Sequence, residues 1–448
     1  MSNVKIDFNK ELRPMKPLHG VNNGPLTCNL SRDARPLFKE AGIPFSRLHD
    51  TEYPFGSGEF VDVPCIFKDF RNDVNDPESY NFALTDEYLK AIIECNTKII
   101  YRLGVTIEHQ AVKRHVYPPK DYQKWAEICE HIIAHYNEGW ADGFHFGIER
   151  WEIWNEPNHS KDGLMWLGSP EDFAHFYTTA ATHLKNRFPN LKIGGPAFSN
   201  PESKFVDAFF DELTKDGNHP PMDFFSWHGY IHTIEEGVHR AEYADDLLKK
   251  YGYGGIESIY DEWNYVKSWS DAGQYYGVIQ SVKGAAFNAA LLSRMQSTPV
   301  DIMAYYDAQF KFAGGWCGLF RTGDAKLTNG GANVLAPKRP FFAFKAFNEV
   351  YKCKTQVEMT VDDDRVYGVA AYDKENKKAK FILSSFADLD EELPSKNIKI
   401  ETKGLEGKTA TVYLLSEQLD LEEVVSFKVS GEFDYKLEPY TFILVSIE

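Results

Sequence analysis

Short apolar runs alternate with longer amphipathic segments eight times in the first three quarters of this sequence, and this alternation constrains the fold more than any other feature. Each apolar run is followed by a loop and then by a helical pattern, which is the order that a closed parallel barrel requires. We therefore predict an α/β fold, a (β/α)8 TIM barrel. Its eight strands are expected at Leu18–Asn22, Ile43–His49, Lys98–Leu103, Ile148–Trp154, Leu191–Pro196, Phe224–His228, Ile256–Glu262 and Ile302–Tyr306.

The last quarter of the chain has a different pattern. After Val350, short β-branched or aromatic runs are separated by Asp, Gly and Lys turns, which indicates antiparallel strands. We predict a barrel domain at 14–350 and a small antiparallel β-sandwich at 351–448. The run Val4–Phe8 is expected to pair with the first barrel strand. Alternatively, it is part of a strand at 1–12 that joins the sandwich. The strands expected in the sandwich are Arg365–Tyr372, Ala379–Ser384, Ile398–Thr402, Thr409–Leu415 and Tyr440–Ile447.

Charge and composition exclude several classes of protein. The chain has 49 Lys and Arg against 66 Asp and Glu, a net charge of −17, so its field repels phosphate backbones and anionic lipids. We expect neither a nucleic-acid nor a membrane partner, and the sequence allows a homo-oligomer. No apolar run approaches the ~18 residues of a membrane span, and the start MSNVKIDFNK lacks the apolar region of a secretion signal, so a cytoplasmic location is expected.

The six cysteines are scattered through the sequence without a CxxC pair or a His cluster. Buried free thiols are therefore favoured over disulfides or ligands. No His, Asp and Cys group stands at metal-ligand spacing, so we predict neither a metal nor a cofactor.

Two glutamates stand at the carboxyl ends of predicted strands. Glu156 follows the fourth strand in the segment WEIWNEPN, and Glu262 ends the seventh in IYDEWN. The carboxyl ends of barrel strands surround one pocket, so these two side chains are expected to face each other. Hydrolysis of an acetal needs one carboxyl to deliver a proton and another to face the anomeric carbon. The pair therefore favours a glycosidase, although either glutamate alone could bridge a loop or hold an arginine.

These motifs resemble those of the large clan of retaining glycosidases whose two glutamates end strands four and seven. Within that clan the sequence is most similar to glycoside hydrolase family 39, the family of β-xylosidases and α-L-iduronidases, which also joins a barrel to a β-sandwich. Beyond Trp154–Asn158 and Glu262–Asn264, the specific resemblance lies in Phe225–Tyr230, with the sequence FSWHGY. It implies a retaining enzyme that releases terminal xylosyl or related pentosyl residues from oligosaccharides.

The resemblance also implies roles for the residues around the pocket. Glu156 would be the general acid/base and Glu262 the nucleophile, while Asn155 would bind the 2-hydroxyl of the −1 sugar. His228 and Tyr230, after the sixth strand, would flank the two carboxyls.

By the same resemblance, three further residues are candidates for substrate binding. Arg47 would keep Glu262 ionised by proximity, and His49 and His19 complete the set, although a lone histidine is often part of the scaffold. In the loop after the eighth strand, the indole of Trp316 offers a stacking platform for a sugar.

One departure from the family pattern leaves the sugar open. Family 39 nucleophiles usually follow Thr, whereas Asp261 precedes Glu262 here, and DEWN is closer to the α-L-arabinofuranosidases of family 51. An α-L-arabinosidase or another exo-glycosidase of the clan is therefore an alternative, and a non-catalytic carbohydrate-binding protein is the non-enzymatic one. By strict alternation, Asp261 should point to the opposite face of the strand from Glu262.

Overall fold

A computed structural model of the protein describes residues 2–25, 33–53, 57–108, 111–159, 163–309, 316–322, 335–389 and 391–448. Its strands are β1 Ser2–Pro14, β2 Gly20–Asn22, β3 Phe45–Arg47, β4 Glu52–Tyr53, β5 Ser57–Gly58, β6 Lys98–Leu103, β7 Arg150–Ile153, β8 Lys192–Phe198, β9 Phe224–Ile231, β10 Glu257–Tyr265, β11 Ile302–Tyr305, β12 Phe320–Thr322, β13 Leu335–Pro337, β14 Thr355–Val361, β15 Val366–Asp373, β16 Lys378–Ser385, β17 Lys396–Lys403, β18 Thr409–Leu415, β19 Asp420–Lys428, β20 Glu432–Leu437 and β21 Phe442–Ile447. Its α-helices are α1 Arg35–Ala41, α2 Val63–Ile66, α3 Ala83–Glu94, α4 Tyr122–Asn137, α5 Pro170–Arg187, α6 Lys204–Leu213, α7 Ile234–Lys250, α8 Gly273–Ile279, α9 Val282–Met295 and α10 Phe341–Tyr351.

Eight parallel strands close the predicted barrel. In chain order these are β2, β3, β6, β7, β8, β9, β10 and β11, and β11 returns to pair with β2. Each overlaps one of the eight runs expected from the sequence, so the TIM barrel is confirmed. The largest apolar core lies between these strands and the surrounding helices.

The C-terminal part is a nine-stranded sheet in the order β19-β18-β21-β16-β15-β14-β1-β17-β20. It is antiparallel except for the pair β1 and β17, and side chains from both halves of the sheet share one core. The sheet therefore curls around that core, which confirms the antiparallel prediction. The sequence patterns did not reveal β14, β19 and β20.

The N-terminal strand does not pair with the barrel. Residues Val4 and Ile6 of β1 lie opposite Val361 and Met359 of β14, and the other edge of β1 pairs with β17. The expected pairing of Val4–Phe8 with the first barrel strand is therefore wrong. The apolar side chains of this run are buried in the core of the nine-stranded sheet, which the strand completes. The domain boundary at 350 and 351 stays a prediction.

Within the described residues, no helix is long and apolar enough to cross a membrane. Five cysteines of this part of the chain are free thiols, and four of them are buried. Cys28 lies outside the described residues.

Candidate active site

The chain turns sharply after β7 to present Glu156. Trp154 has φ of 74° and Glu156 has φ of 46°, both in the left-handed region that costs a non-glycine residue of the order of 1 kcal/mol. The Trp154 indole is buried and donates to the carbonyl of Met165, while the Glu156 amide donates to the carbonyl of Ala197. These contacts hold the strained turn in place, and strained backbone of this kind is frequent at active sites.

A bulge in β10 turns two consecutive carboxyls inward. Tyr260 and Glu262 pair with successive residues of β9, so Asp261 is an extra residue in β10. The carboxyl of Asp261 is fully buried, with Oδ2 2.9 Å from Nε of Arg47. The expectation that Asp261 lies on the opposite face from Glu262 is therefore wrong, because the bulge interrupts the alternation on which it rested.

Glu156 and Glu262 face each other across a cavity of about 680 Å³ at the carboxyl end of the barrel. One oxygen of each carboxyl and a ring nitrogen of His228 all lie within 4.8 Å of one another. Nδ1 of His228 is 2.7 Å from Oε1 of Glu156 and 3.5 Å from Oε2 of Glu262. Retaining glycosidases need about 5 Å between their carboxyls, whereas inverting enzymes need ~6.5–9.5 Å to admit a water. The pair has the short spacing.

Hydrogen-bond donors converge on Glu262. The Tyr230 hydroxyl donates to Oε1, and Nη1 of Arg47 lies 3.3 Å from Oε2. Nε2 of His49 is 3.8 Å from the same oxygen. The hydrogen bonds from Tyr230 and Arg47 favour the carboxylate form of Glu262. Glu156, in contrast, lies against the ring of His228.

Arg47 is the centre of the buried polar network beneath the cavity. Its guanidinium donates to Oε2 of Glu152 at 2.7 Å, to Oδ1 of Asn22 at 3.1 Å and to Oδ1 of Asn155 at 2.7 Å. The contact with Asn155 fixes the orientation of that amide and leaves its Nδ2 without a partner among the described residues. Arg47 thus sets the orientation of the Asn155 amide beneath the cavity.

Burial sets the protonation of the site. It raises the pKa of Glu262 to about 7, with opposing contributions from His228, Arg47 and Tyr230 and a further increase from the charge of Glu156. Burial also raises the pKa of Glu156 and lowers the pKa of His228 to about 4. His228 is therefore neutral at pH 7, and each glutamate can hold a proton closer to neutrality than an exposed one.

Aromatic rings form one wall of the cavity. The Trp316 indole lies against Tyr276, Tyr306 and Trp269, with ring centroids 5.3, 5.9 and 5.7 Å away, and Trp269 also packs on Tyr230 at 4.7 Å. Trp269 is 53% exposed, so it lies at the mouth of the cavity. Such a wall offers flat apolar faces to the C–H groups of a sugar.

Residues 2–314 match the family described as Glycosyl hydrolases family 39. The chain belongs to this family. The match settles the family assignment that Asp261 left open. The relatives of this family 39 glycosidase include a β-xylosidase of Caldicellulosiruptor saccharolyticus, 26% identical over 442 residues that cover 90% of this chain and 82% of the relative. A β-xylosidase of Geobacillus stearothermophilus is 25% identical over 330 residues, covering 66% of this chain and 61% of that protein, about three fifths of its length.

The barrel and sheet of the family 39 enzyme also resemble those of solved structures. A glucosidase from Croceicoccus marinus superposes with a TM-score of 0.80 at 20% identity, and the match covers 100% of this chain and 98% of the glucosidase. At this identity the likeness shows the fold alone.

The structure brings together all but one of the residues that the sequence singled out. The residues gathered around the cavity or directly beneath it are Glu156, Glu262, Asn155, His228, Tyr230, Arg47, His49 and Trp316. Their roles stay predictions. Apart from this site, the described residues contain no group of three or more His, Cys, Asp and Glu side chains close enough to hold a metal ion.

His19 is the exception. It precedes β2 and so lies at the amino end of the barrel, away from the cavity. Its Nε2 is 3.3 Å from Oδ1 of Asn348, and its ring packs on Phe347 and Tyr351 of α10. Burial lowers its pKa to about 3. The expected contact between His19 and the substrate is therefore wrong. His19 stands directly before its strand, where side chains pack against α10 and not into the cavity, so it has a packing role.

Sequence reasoning missed several residues of the site. Glu152 binds Arg47 from below, and Asp50 lines the cavity and accepts from the Tyr306 hydroxyl at 2.7 Å. Glu152 and Tyr306 stand on or directly after barrel strands, so their strand positions were a usable signal. Trp269 follows the seventh strand in a short 3-10 helix, and its neighbours in sequence carry no comparable signal.

Proposed function

We propose that this glycosidase hydrolyses terminal β-xylosyl residues of oligosaccharides with retention of configuration, with Glu262 as nucleophile and Glu156 as general acid/base. The observation that carries the proposal is the approach of the two carboxyls, one oxygen of each lying within 4.8 Å of the other in one cavity. At this spacing a carboxylate can attack the anomeric carbon directly, without an intervening water.

The surroundings of the two glutamates support the division of roles. Arg47 and Tyr230 donate towards Glu262 and offset part of the effect of burial, which stabilises the anion that a nucleophile must be. Burial raises the pKa of Glu156, which favours its protonated form before the reaction. In the first step Glu262 bonds to the anomeric carbon while Glu156 protonates the departing oxygen. In the second step Glu156 takes a proton from water, the water oxygen attacks the anomeric carbon and Glu262 departs.

The sugar is proposed from the relatives in sequence, both of which are named β-xylosidases. The glucosidase named above shares the fold, so a β-glucoside is the second candidate. The two sugars differ by the hydroxymethyl group at C5. An enzyme built for xylose excludes that group from the −1 site, and selectivity against one such group is typically about 10- to 200-fold.

The experiment is a panel of nitrophenyl glycosides assayed with the purified protein. The panel comprises the β-xyloside, α-L-arabinofuranoside, α-L-arabinopyranoside, β-glucoside and β-galactoside, and we expect the highest kcat/KM on the β-xyloside. NMR of the first product should show β-xylose. A first product with α configuration contradicts retention, and a protein that binds xylosides without hydrolysing them supports the non-catalytic alternative.

The setting of the enzyme is also a proposal. We propose a reducing compartment, the cytoplasm, because five free thiols of the described chain are compatible with it. The net charge of −17 supports the absence of nucleic-acid and anionic-membrane partners. The substrate is then a small oligosaccharide or glycoside.

A further inference from the structure

Asp261 is a fully buried carboxyl that the two-step reaction does not use. Its Oδ2 lies 2.9 Å from Nε of Arg47, but that nitrogen donates its hydrogen to Glu152. Its Oδ1 lies 3.5 Å from Nε2 of His228. Neither oxygen of Asp261 accepts a hydrogen bond from the described residues, and neither Oε1 of Glu152 nor Nε2 of His228 has a partner there. Buried polar atoms are rarely left unsatisfied, so this group of three calls for an explanation.

A proton on Asp261 supplies the donor that Oε1 of Glu152 lacks. Burial, together with the charge of Glu152, raises the pKa of Asp261 well above its ordinary value. Burial also raises the pKa of Glu152. The charge of Arg47 and the hydrogen bond from Asp261 outweigh that effect and bring the pKa of Glu152 below its ordinary value. A protonated Asp261 donates to Glu152 and keeps its other oxygen as an acceptor for His228.

We propose that Asp261 is a positioning residue that fixes the tautomer of His228 and thereby keeps the proton on Glu156. With Asp261 as acceptor, the single hydrogen of the neutral ring sits on Nε2. Nδ1 then presents a lone pair to Oε1 of Glu156 at 2.7 Å, and a lone pair there can only accept a hydrogen bond. Glu156 must supply the proton. The inference rests on the proposed role of Glu156 as acid/base.

The reverse tautomer has the opposite effect. A hydrogen on Nδ1 donates to Glu156 and stabilises its carboxylate, so the general acid loses its proton at a lower pH. The other charged and titratable groups that act on Glu156 or His228 are Glu262, Arg47, Glu152 and His159. A substitution at 261 leaves these side chains in place, but one that removes the hydrogen bond to Glu152 also acts on the pKa of Glu152.

Two substitutions at 261 separate this role from a purely structural one. In Asp261→Asn the amide mimics a protonated carboxyl: Nδ2 can donate to Glu152 and Oδ1 can accept from His228. We expect the alkaline limb of kcat/KM to remain where it is in the wild type. In Asp261→Val, of similar size, both functions are lost. We expect the alkaline limb to move to lower pH.

A comparison of substrates with different leaving groups is a second test of the role of Asp261. General-acid catalysis contributes about 10²- to 10⁴-fold, so Asp261→Val should lower kcat on xylobiose on the order of 10- to 100-fold. On 2,4-dinitrophenyl β-xyloside, whose leaving group needs no proton, the first step should be nearly unchanged. Asp301→Val is the control, because it removes a half-buried carboxyl at the amino end of the barrel, next to β11.

The tautomer itself can be read by ¹⁵N NMR of labelled histidine. We expect His228 to carry its hydrogen on Nε2 in the wild type and in Asp261→Asn, and on Nδ1 in Asp261→Val. A wild-type Nδ1–H tautomer overturns the proposal, as does an Asp261→Asn variant whose alkaline limb falls to lower pH. If Asp261→Val does not fold, the wild-type spectrum and Asp261→Asn still decide. The spectra do not depend on turnover, so a protein without glycosidase activity refutes the proposed function and leaves the tautomer assignment to be judged separately.

Discussion

Replacing Tyr230 with Phe tests how the site controls the charge of Glu262. The hydroxyl of Tyr230 donates to Oε1, while its ring packs on Trp269, so the substitution deletes a buried hydrogen bond and leaves the packing in place. A hydrogen bond to a charged group contributes about 1.5–3 kcal/mol, and 1.36 kcal/mol corresponds to one pKa unit. Because the hydroxyl stabilises the carboxylate, its loss should raise the pKa of Glu262 from about 7 by roughly 1 to 2 units.

The assay is kcat/KM for 2,4-dinitrophenyl β-xyloside as a function of pH. Protonated Glu262 cannot attack, so activity falls as the pH drops through its pKa, and in Tyr230→Phe this acid limb should move to higher pH. At pH values well below the acid limb, kcat/KM of the variant should be about 10- to 100-fold lower than that of the wild type. At pH values well above the limb, this difference should become smaller. Tyr276→Phe is the matched control, since Tyr276 lies against Trp316 and not against Glu262. A limb that stays in place or moves to lower pH refutes the reasoning.

Three further outcomes are expected. Glu262→Ala should abolish hydrolysis, and azide should restore activity and give an α-configured glycosyl azide. Glu156→Ala should leave the first step on the dinitrophenyl xyloside intact, and azide should then give the β-configured glycosyl azide. If the two variants exchanged these products, the two roles would be reversed. Trp316→Ala should weaken substrate binding by on the order of 1 kcal/mol with little change in Tm, and unchanged KM and kcat speak against the stacking platform. His19→Ala should lower the free energy of unfolding by about 1–3 kcal/mol, because it leaves the buried amide of Asn348 without its partner. The values of kcat and KM should stay at those of the wild type. A selective loss of kcat would show that His19 belongs to the catalytic site.

The sequence was sufficient to predict the barrel because the signal is local and repeated. Each barrel strand is an apolar run that is followed by a loop and a helix. Eight such units in succession are typical of a closed (β/α)8 barrel. Glu156 and Glu262 followed from that count, since polar residues directly after barrel strands lie around one pocket. The resemblance to family 39 added Arg47, His49, His228 and Tyr230.

The failures came from interactions between distant parts of the chain. Alternation predicts the facing of a side chain only while the ladder is regular, and the bulge at Asp261 depends on how β10 pairs with β9. His19 stands beside a barrel strand in sequence, as His49 does, but at the opposite end of the barrel. The pairing of β1 could not be read from its own residues, because its partners are more than 340 positions away.

The place of β1 in the sheet affects how the protein is made. β1 ends at Pro14, and β14, its first partner, begins at Thr355. At a synthesis rate of about 5–20 residues per second, Val4, Ile6 and Phe8 emerge roughly 20 to 70 s before any residue with which they pair. Throughout that interval the ribosome carries an apolar strand without a sheet to receive it. The barrel can start to assemble on the ribosome, but the nine-stranded sheet is completed only after β14 and β17 have been made and can pair with β1.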